Sequence, residues 1–335
     1  MRAAIFEKPG LENLKVTADA EEPKLTDHDV LIKVKTAGVN PIDKNVVSGS
    51  YPASPMPHIP GAEIAGIVDR VGNHVQGLNK GDRVIVYNSL FDGTCDMCLN
   101  GSENTCRNGG LIPVTANGGF AEYVAVPQQN VFKLLDDISW DVAASLPVTG
   151  LTPFHALMEA SLRIDEDLVV FGASGNTGMI ATQIAKKMGA KVIAVSREEE
   201  RTKEFGADYV ISDYGKVPEH VREITHGKMA DVVLNSLGAK VWDSSFASVG
   251  KNGRLVTFGV LTGPEVNLNI RSLYLKQIKL IGSTGGTRAE LRELIDSSAK
   301  DLKVKVWRRF GLEDVKEALE ALSAKDREGR ILLDV

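Results

Sequence analysis

The amino-acid sequence predicts an α/β protein in two parts, a doubly wound parallel sheet and a compact β-rich domain. Three observations predict it. Residues 168–197 read as strand, glycine turn, helix and strand. Residues 207–298 go on alternating strands with helices, and the strands are apolar enough to be covered on both faces. Residues 1–135 are instead short strands between turn signals, with many glycines and prolines. A length of 335 residues exceeds one simple core and suits two domains.

In the β-rich part the clearest strands are 30–34, 63–68 and 82–86, the last preceded by a turn between Gly77 and Gly81. Little helical periodicity is present there. Asp92, Cys95, Cys98 and Cys106 follow the spacing Asp-x2-Cys-x2-Cys-x7-Cys. The chain's 3 cysteines all lie between 95 and 106, which is no disulfide framework. Structural zinc takes four ligands, thiolates above all, and accepts a carboxylate oxygen, so these four are candidate ligands of one structural Zn²⁺ per chain. A reduced, metal-free loop is the competing reading. Residues 139–160 turn helical, interrupted at Pro147 and Gly150, where one part hands over to the next.

The second part opens with strand 168–171, the glycines Gly172, Gly175 and Gly178, a helix bearing Ile180, Ile184 and Met188, and strand 192–195. Glycines let the chain turn sharply while backbone N–H groups and a helix N-terminus approach a pyrophosphate. Gly172, Ser174, Gly175, Asn176, Thr177 and Gly178 are therefore candidate dinucleotide-binding residues. Ala173 departs from the usual G-x-G-x-x-G, and a ligand-free packing unit is the alternative. An NAD site places an acidic residue after the second strand, whereas Ser196 and Arg197 stand there. A hydroxyl beside a guanidinium suits a ribose 2′-phosphate, which points to NADPH. Arg201 and Lys203 are secondary candidates, and Glu198 to Glu200 would repel the phosphate or cap the next helix.

Strands then follow at 207–211, 229–234, 254–260 and 277–283, with helices at 218–225, 242–248 and 289–298. Strand 303–306, helix 312–322 and strand 330–333 either extend this sheet or return to the first domain. Strand 276–282, near the edge of the cofactor sheet, invites pairing with a second copy.

Composition limits the partners. The formal net charge is -5 and the cationic side chains are scattered, so no nucleic-acid footprint is present. Apolar runs are of strand length, which excludes a membrane span, and no signal segment opens the chain. The cytoplasm is the expected location.

Gly61-Ala62-Glu63, the cysteine lobe and the glycine turn, in this order, resemble the medium-chain dehydrogenase/reductase family over essentially the full length. The resemblance implies a GroES-like catalytic domain at 1–135, completed by 299–335, and a Rossmann cofactor domain at 136–298, with the active site in the cleft between them. It also implies a homodimer or homotetramer. The family's catalytic zinc ligands would fall at Asn40, Ala62 and Ser145, and its proton relay at Ile42. An amide, a methyl and a hydroxyl do not hold Zn²⁺. His58 is out of register and reads as a loop histidine.

Asn40-Pro41-x-Asp43 through Gly49-Ser50-Tyr51-Pro52 resembles the quinone oxidoreductase and enoyl reductase branch, although Asn45 and Val47 depart from it. The resemblance puts Asn40 near the nicotinamide and Tyr51 along the substrate cleft; for Tyr51 a half-buried loop aromatic packed on Pro52 is the alternative. It also puts Thr149, with Phe258, Gly259, Val260, Gly282 and Ser283, around the nicotinamide. The expected activity is NADPH-dependent reduction of an enone, quinone or enoyl thioester, a small-molecule substrate, without a catalytic metal. Asn40 and Tyr51 would donate hydrogen bonds to the oxygen where charge develops. A carbonyl reductase or alcohol dehydrogenase lacking catalytic zinc, and a non-enzymatic NADPH-binding protein, are the other readings.

Overall fold

The computed structural model describes residues 1–335. The chain forms two compact units, Met1–Val148 with Thr287–Val335, and Thr149–Gly286. No helix is long and apolar enough to cross a membrane.

The first unit is built on a seven-stranded sheet. Along it run Val306–Gly311, Arg330–Asp334, Asp29–Gly38, Glu63–Val71, Arg83–Val86 and Val131–Lys133, and Tyr123–Pro127 pairs with Asp29–Gly38. The long strand Asp29–Gly38 pairs antiparallel with Glu63–Val71 from Val30↔Val71 to Gly38↔Glu63. That register brings the end of one strand and the start of the other to the same end of the sheet, and it sets Asn40 beside Glu63. Alternate side chains such as Val30, Ile32, Val34, Ile64, Val68, Val84 and Val86 fill one core, which the C-terminal Ile331 and Leu333 complete. The tail therefore returns to this unit, since Leu332–Asp334 pair with Thr36–Gly38.

Two sequence expectations change here. The strand expected at 303–306 lies at Val306–Gly311 instead, where parallel pairing with Arg330–Asp334 outweighs its polar composition. Helix Pro41–Ser48 had no periodic signal, because eight residues are two turns. Its ends are readable in retrospect. Pro41 occupies the first turn, Asp43 caps the backbone N–H of Asn40 at 2.8 Å, and Gly49 closes it at φ 82.

In the second unit six parallel strands run in the order Tyr209–Ile211, Lys191–Val195, Asp167–Phe171, Ala230–Asn235, Val249–Thr257 and Lys279–Gly282. Numbered along the chain this is 3-2-1-4-5-6, the doubly wound order whose crevice opens where the chain direction reverses. Val169, Phe171, Ile193, Val195 and Val233 lie in its core with Val217 and Val221 of helix Val217–Ile224. The strand expected at 254–260 starts earlier and ends at Thr257, so Phe258 to Val260 leave the sheet. Residues 139–160 form helix Trp140–Ala143, the π-helical turn Leu146–Gly150 and helix Leu151–Glu159, broken at the proline and glycine as expected.

Candidate functional site

The glycine turn lies at the reversal point of the parallel sheet. Gly172 leaves strand Asp167–Phe171 at φ 73, and its carbonyl accepts from Gly175 N at 2.9 Å. A Cβ on Gly178 would stand 2.3 Å from the Gly172 carbonyl oxygen. Only glycine lets helix Asn176–Lys187 sit this close to the strand, and no side chain caps its first N–H groups. This close helix–strand contact at Gly178 is the packing that the last glycine of a dinucleotide-binding turn provides, so the residues fit that cofactor. Asn235 shapes the neighbouring strand end, its Oδ1 accepting from Leu237 N at 3.0 Å and Gly238 N at 2.8 Å. Sequence reading missed it, although Asn-Ser-Leu-Gly after an apolar strand is a side-chain turn signature.

At the end of the second strand, Ser196 is buried and its Oγ accepts from Glu198 N at 3.0 Å. Arg197 is exposed, with its guanidinium carbon 5.7 Å from the Tyr214 ring centroid. Tyr214, also missed, donates its hydroxyl to the Val195 carbonyl at 3.2 Å, so a fixed ring lies beside the exposed arginine. The glutamates are engaged locally: Glu199 pairs with Lys203 at 2.7 Å, and Glu198 lies 3.8 Å from Arg201. Phe258, Gly259, Val260, Gly282 and Ser283 come together around a cavity of about 450 Å³. The Ser283 hydroxyl is buried there without a hydrogen-bond partner, an orphan that a ligand amide would satisfy.

A buried polar network lies at the paired ends of the interior strands Asp29–Gly38 and Glu63–Val71 in the first unit. Arg330 and Glu63 are both fully buried and paired. Asn40, itself buried, donates Nδ2 to Glu63 at 2.8 Å and accepts at Oδ1 from Arg330 Nη1 at 2.9 Å. The other Glu63 oxygen accepts from Val148 N at 3.0 Å. Gly38 leaves room for this pair, because a Cβ there would lie 2.1 Å from the Arg330 guanidinium. Neither charge is stranded, so the desolvation cost is offset locally.

Asp43 is a second buried carboxylate, accepting from Asn40 N and Ala62 N, each at 2.8 Å. Burial raises its carboxyl to about 7, with the two backbone donors opposing. An unfolded carboxyl titrates near ~3.9, so native Asp43 holds its proton to higher pH. Its stabilisation is complete below about pH 4 and is lost as pH rises towards about 7. Asp43→Asn cannot titrate. The stability advantage of wild type over this variant is expected to shrink by about 2–3 kcal/mol between pH 5 and pH 8. Urea melts at the two pH values check this, and a constant or growing gap would contradict it.

Asp92, Cys95, Cys98 and Cys106 converge, their ligand atoms all within 4.8 Å of one another. Cys95 Sγ lies 3.6 Å from Cys98 Sγ and 3.7 Å from Cys106 Sγ. The edge of a tetrahedron with Zn–S bonds of about 2.3 Å is about 3.8 Å, so the spacing fits that ion. Backbone N–H of Cys95, then Thr94 and the Asn108 amide, hold the Asp92 carboxyl below the usual range. The thiols compete for charge: backbone donors lower Cys95, while burial pushes Cys98 up to about 12. A bound cation removes that competition, because coordinating thiols are deprotonated. The cluster is able to hold a metal ion.

Residues 26–136 match the alcohol dehydrogenase GroES-like domain family, and residues 177–300 the zinc-binding dehydrogenase family. A thermostable alcohol dehydrogenase from Pyrobaculum aerophilum superposes with TM-score 0.90 at 42% identity, covering 100% of this chain and 99% of that one. An acryloyl-coenzyme A reductase from Metallosphaera sedula is 32% identical over 94% of this chain and 95% of its own. A quinone oxidoreductase from Salmonella typhimurium is 30% identical over 98% of both. The chain belongs to the medium-chain dehydrogenase/reductase family. It is an oxidoreductase of that family, with the GroES-like and Rossmann folds.

Many medium-chain reductases carry a catalytic zinc, and the residues here do not fit one. At the three ligand positions stand the Asn40 amide, the Ala62 methyl and Ser145, whose hydroxyl donates to the Asp141 carbonyl at 2.8 Å. Glu63 is neutralised by Arg330. His58 is buried, its ring nitrogens facing the carbonyls of Pro55 and Pro113, which makes it a tie between loops. Tyr51 is 48% exposed after helix Pro41–Ser48, and Thr149 is buried in the π-helical turn. The Asn40 partner Arg330 was not singled out from sequence; a basic residue in a C-terminal strand carries no local signal.

Proposed function

We propose that this protein is a cytoplasmic NADPH-dependent reductase of activated C=C bonds or quinones, acting on an enone, quinone or enoyl thioester without a catalytic metal. The observation that carries it is the buried Asn40–Glu63–Arg330 network, which stands where zinc-dependent members need thiolate and imidazole. An acryloyl-coenzyme A reductase and a quinone oxidoreductase among the relatives support the reading. Bound NADPH would supply the hydride.

The protein's residues then have separate tasks. Gly172, Ser174, Gly175, Asn176, Thr177 and Gly178 would receive the pyrophosphate, and Ser196 with Arg197 the 2′-phosphate. Phe258, Gly259, Val260, Gly282, Ser283 and Thr149 would hold the nicotinamide end. Asn40 and Tyr51 would donate to the carbonyl oxygen where negative charge develops. Arg330, bonded to Asn40 Oδ1, polarises the amide and strengthens its N–H groups as donors. Water would deliver the proton. The test is loss of NADPH absorbance against a panel of enones, quinones, enoyl thioesters, short aldehydes and, in reverse, ethanol. Oxidation by the conjugated electrophiles supports the reading; turnover of aldehydes and ethanol alone would replace it with a zinc-free carbonyl reductase or alcohol dehydrogenase.

The metal cluster is proposed to hold one structural Zn²⁺ per chain. Elemental analysis is expected to find close to one zinc, and stripping it to lower the thermal midpoint while leaving NADPH affinity intact, since binding is coupled to folding of the lobe. Two zincs per chain would contradict the metal assignment. A homodimer, or a tetramer of such dimers, is proposed through edge strand Lys279–Gly282. Leu280 on that strand, with Val260, Leu261, Ile270, Tyr274 and Leu275 nearby in the chain, is exposed. Light scattering at micromolar concentration is expected to give at least a dimer mass; a monomer would contradict it.

A further inference from the structure

In the metal cluster the Asp92 carboxylate is clamped from two sides. Its Oδ1 accepts from Thr94 N at 2.8 Å and from Cys95 N at 3.0 Å. Its Oδ2 accepts from the side-chain amide of Asn108, through Nδ2, at 2.6 Å. Each carboxylate oxygen carries two lone pairs. Both on Oδ1 are engaged by the backbone, whereas Oδ2 keeps one beside the Asn108 bond. The carboxylate also lies within 4.8 Å of all three sulfurs. Local structure brings Asn108 here. Gly109 N donates to the Cys106 carbonyl at 3.2 Å, closing a turn, and Gly110 and Leu111 then pair with Leu90 and Ser89. A Cβ on Gly109 would stand 2.4 Å from the Leu90 carbonyl oxygen, so that approach requires glycine. Arg107 anchors the same turn with two contacts to Asp96, at 2.5 Å and 2.8 Å. Asn108 therefore reaches Asp92 from the segment that carries Cys106.

We infer that Asn108 is a positioning residue for the metal ion of this lobe, holding Asp92 so that Oδ2 alone serves as the fourth donor beside three thiolates. This rests on the structural-zinc reading of the cluster. A cysteine offers one donor atom, and the backbone at its Cβ largely places it. A carboxylate offers two oxygens and turns about its last torsion, so either oxygen, or both, can face a cation. The backbone donors on Oδ1 and the amide on Oδ2 remove that freedom. Carboxylates that ligate a metal are held in this way by outer partners, and losing such a partner costs about ten- to a hundredfold in metal affinity. A plain tie between two segments of the lobe makes a different prediction: its loss would weaken the site equally whatever donor stood at position 92.

The experiment is a double-mutant cycle on the full chain, with wild type, Asn108→Leu, Asp92→Cys and the pair combined. Reduced, metal-free protein is titrated with Zn²⁺ against a chromophoric chelator. Asn108→Leu is expected to raise the Zn²⁺ Kd about ten- to a hundredfold when Asp92 is present. In the Asp92→Cys background the same change should raise it less than about threefold, because a thiolate needs no amide to orient it. Co²⁺ gives a second readout. Its visible bands report donor geometry, and Asn108→Leu should shift them only when Asp92 is the ligand. Equal factors in the two backgrounds would make Asn108 a loop tie and overturn the inference. An unaltered Kd in Asn108→Leu would overturn it as well, and both results leave the structural-zinc reading standing. Wild type that takes up no Zn²⁺ overturns that reading and the inference with it. Matching thermal midpoints of the four metal-free proteins show that the fold is kept.

Discussion

Arg330→Ala is expected to cost about 3–5 kcal/mol, because it leaves Glu63 buried with its countercharge removed. The Asn40 and Val148 N–H donors would remain, but they carry no formal charge. Glu63→Gln is expected to cost a similar amount from the opposite side, stranding the guanidinium. The double variant Glu63→Gln/Arg330→Met removes both charges and should recover a large part of the loss. Equilibrium urea unfolding of the four proteins measures this. Single variants within about 1 kcal/mol of wild type would mean that water reaches the pair and that the network does not hold Asn40 rigidly.

Arg197→Ala is expected to weaken NADPH binding about ten- to a hundredfold and to leave NADH nearly unchanged. A charge-assisted contact to a phosphate is worth roughly 1.5–3 kcal/mol. Because Glu198 and Glu199 are engaged by Arg201 and Lys203, their charges are partly compensated before any phosphate arrives. Tyr214→Ala should give a smaller loss of the same kind, since it removes only the ring under the guanidinium. Fluorescence titration with each cofactor reads the difference. Equal losses for NADH and NADPH would make Arg197 a support of its loop.

What could be read from sequence was local. Gly172, Gly175 and Gly178 announce a turn because the steric demand is written in adjacent residues, whereas the strand order 3-2-1-4-5-6 around it is set by pairing between distant segments. Asp92 and the three cysteines were legible for the same reason, since one short lobe supplies all four ligand atoms. The Asn40 partners were not. Arg330 lies 290 residues from Asn40 and meets it only because the C-terminal strand pairs with Asp29–Gly38. Tyr214 stands beneath Arg197 through the packing of separate loops, with no pattern in the residues between. Helix Pro41–Ser48 was too short for periodicity, and strand Val306–Gly311 depends on a neighbour for its register.

Hydride is expected to go to the carbon conjugated with a carbonyl and not to the carbonyl itself. This is tested most directly with one enone and NADPH deuterated at the transferable C4 position, the product being read by mass spectrometry and NMR. A saturated ketone with deuterium on the β-carbon is expected. An allylic alcohol with deuterium on the carbinol carbon would contradict it.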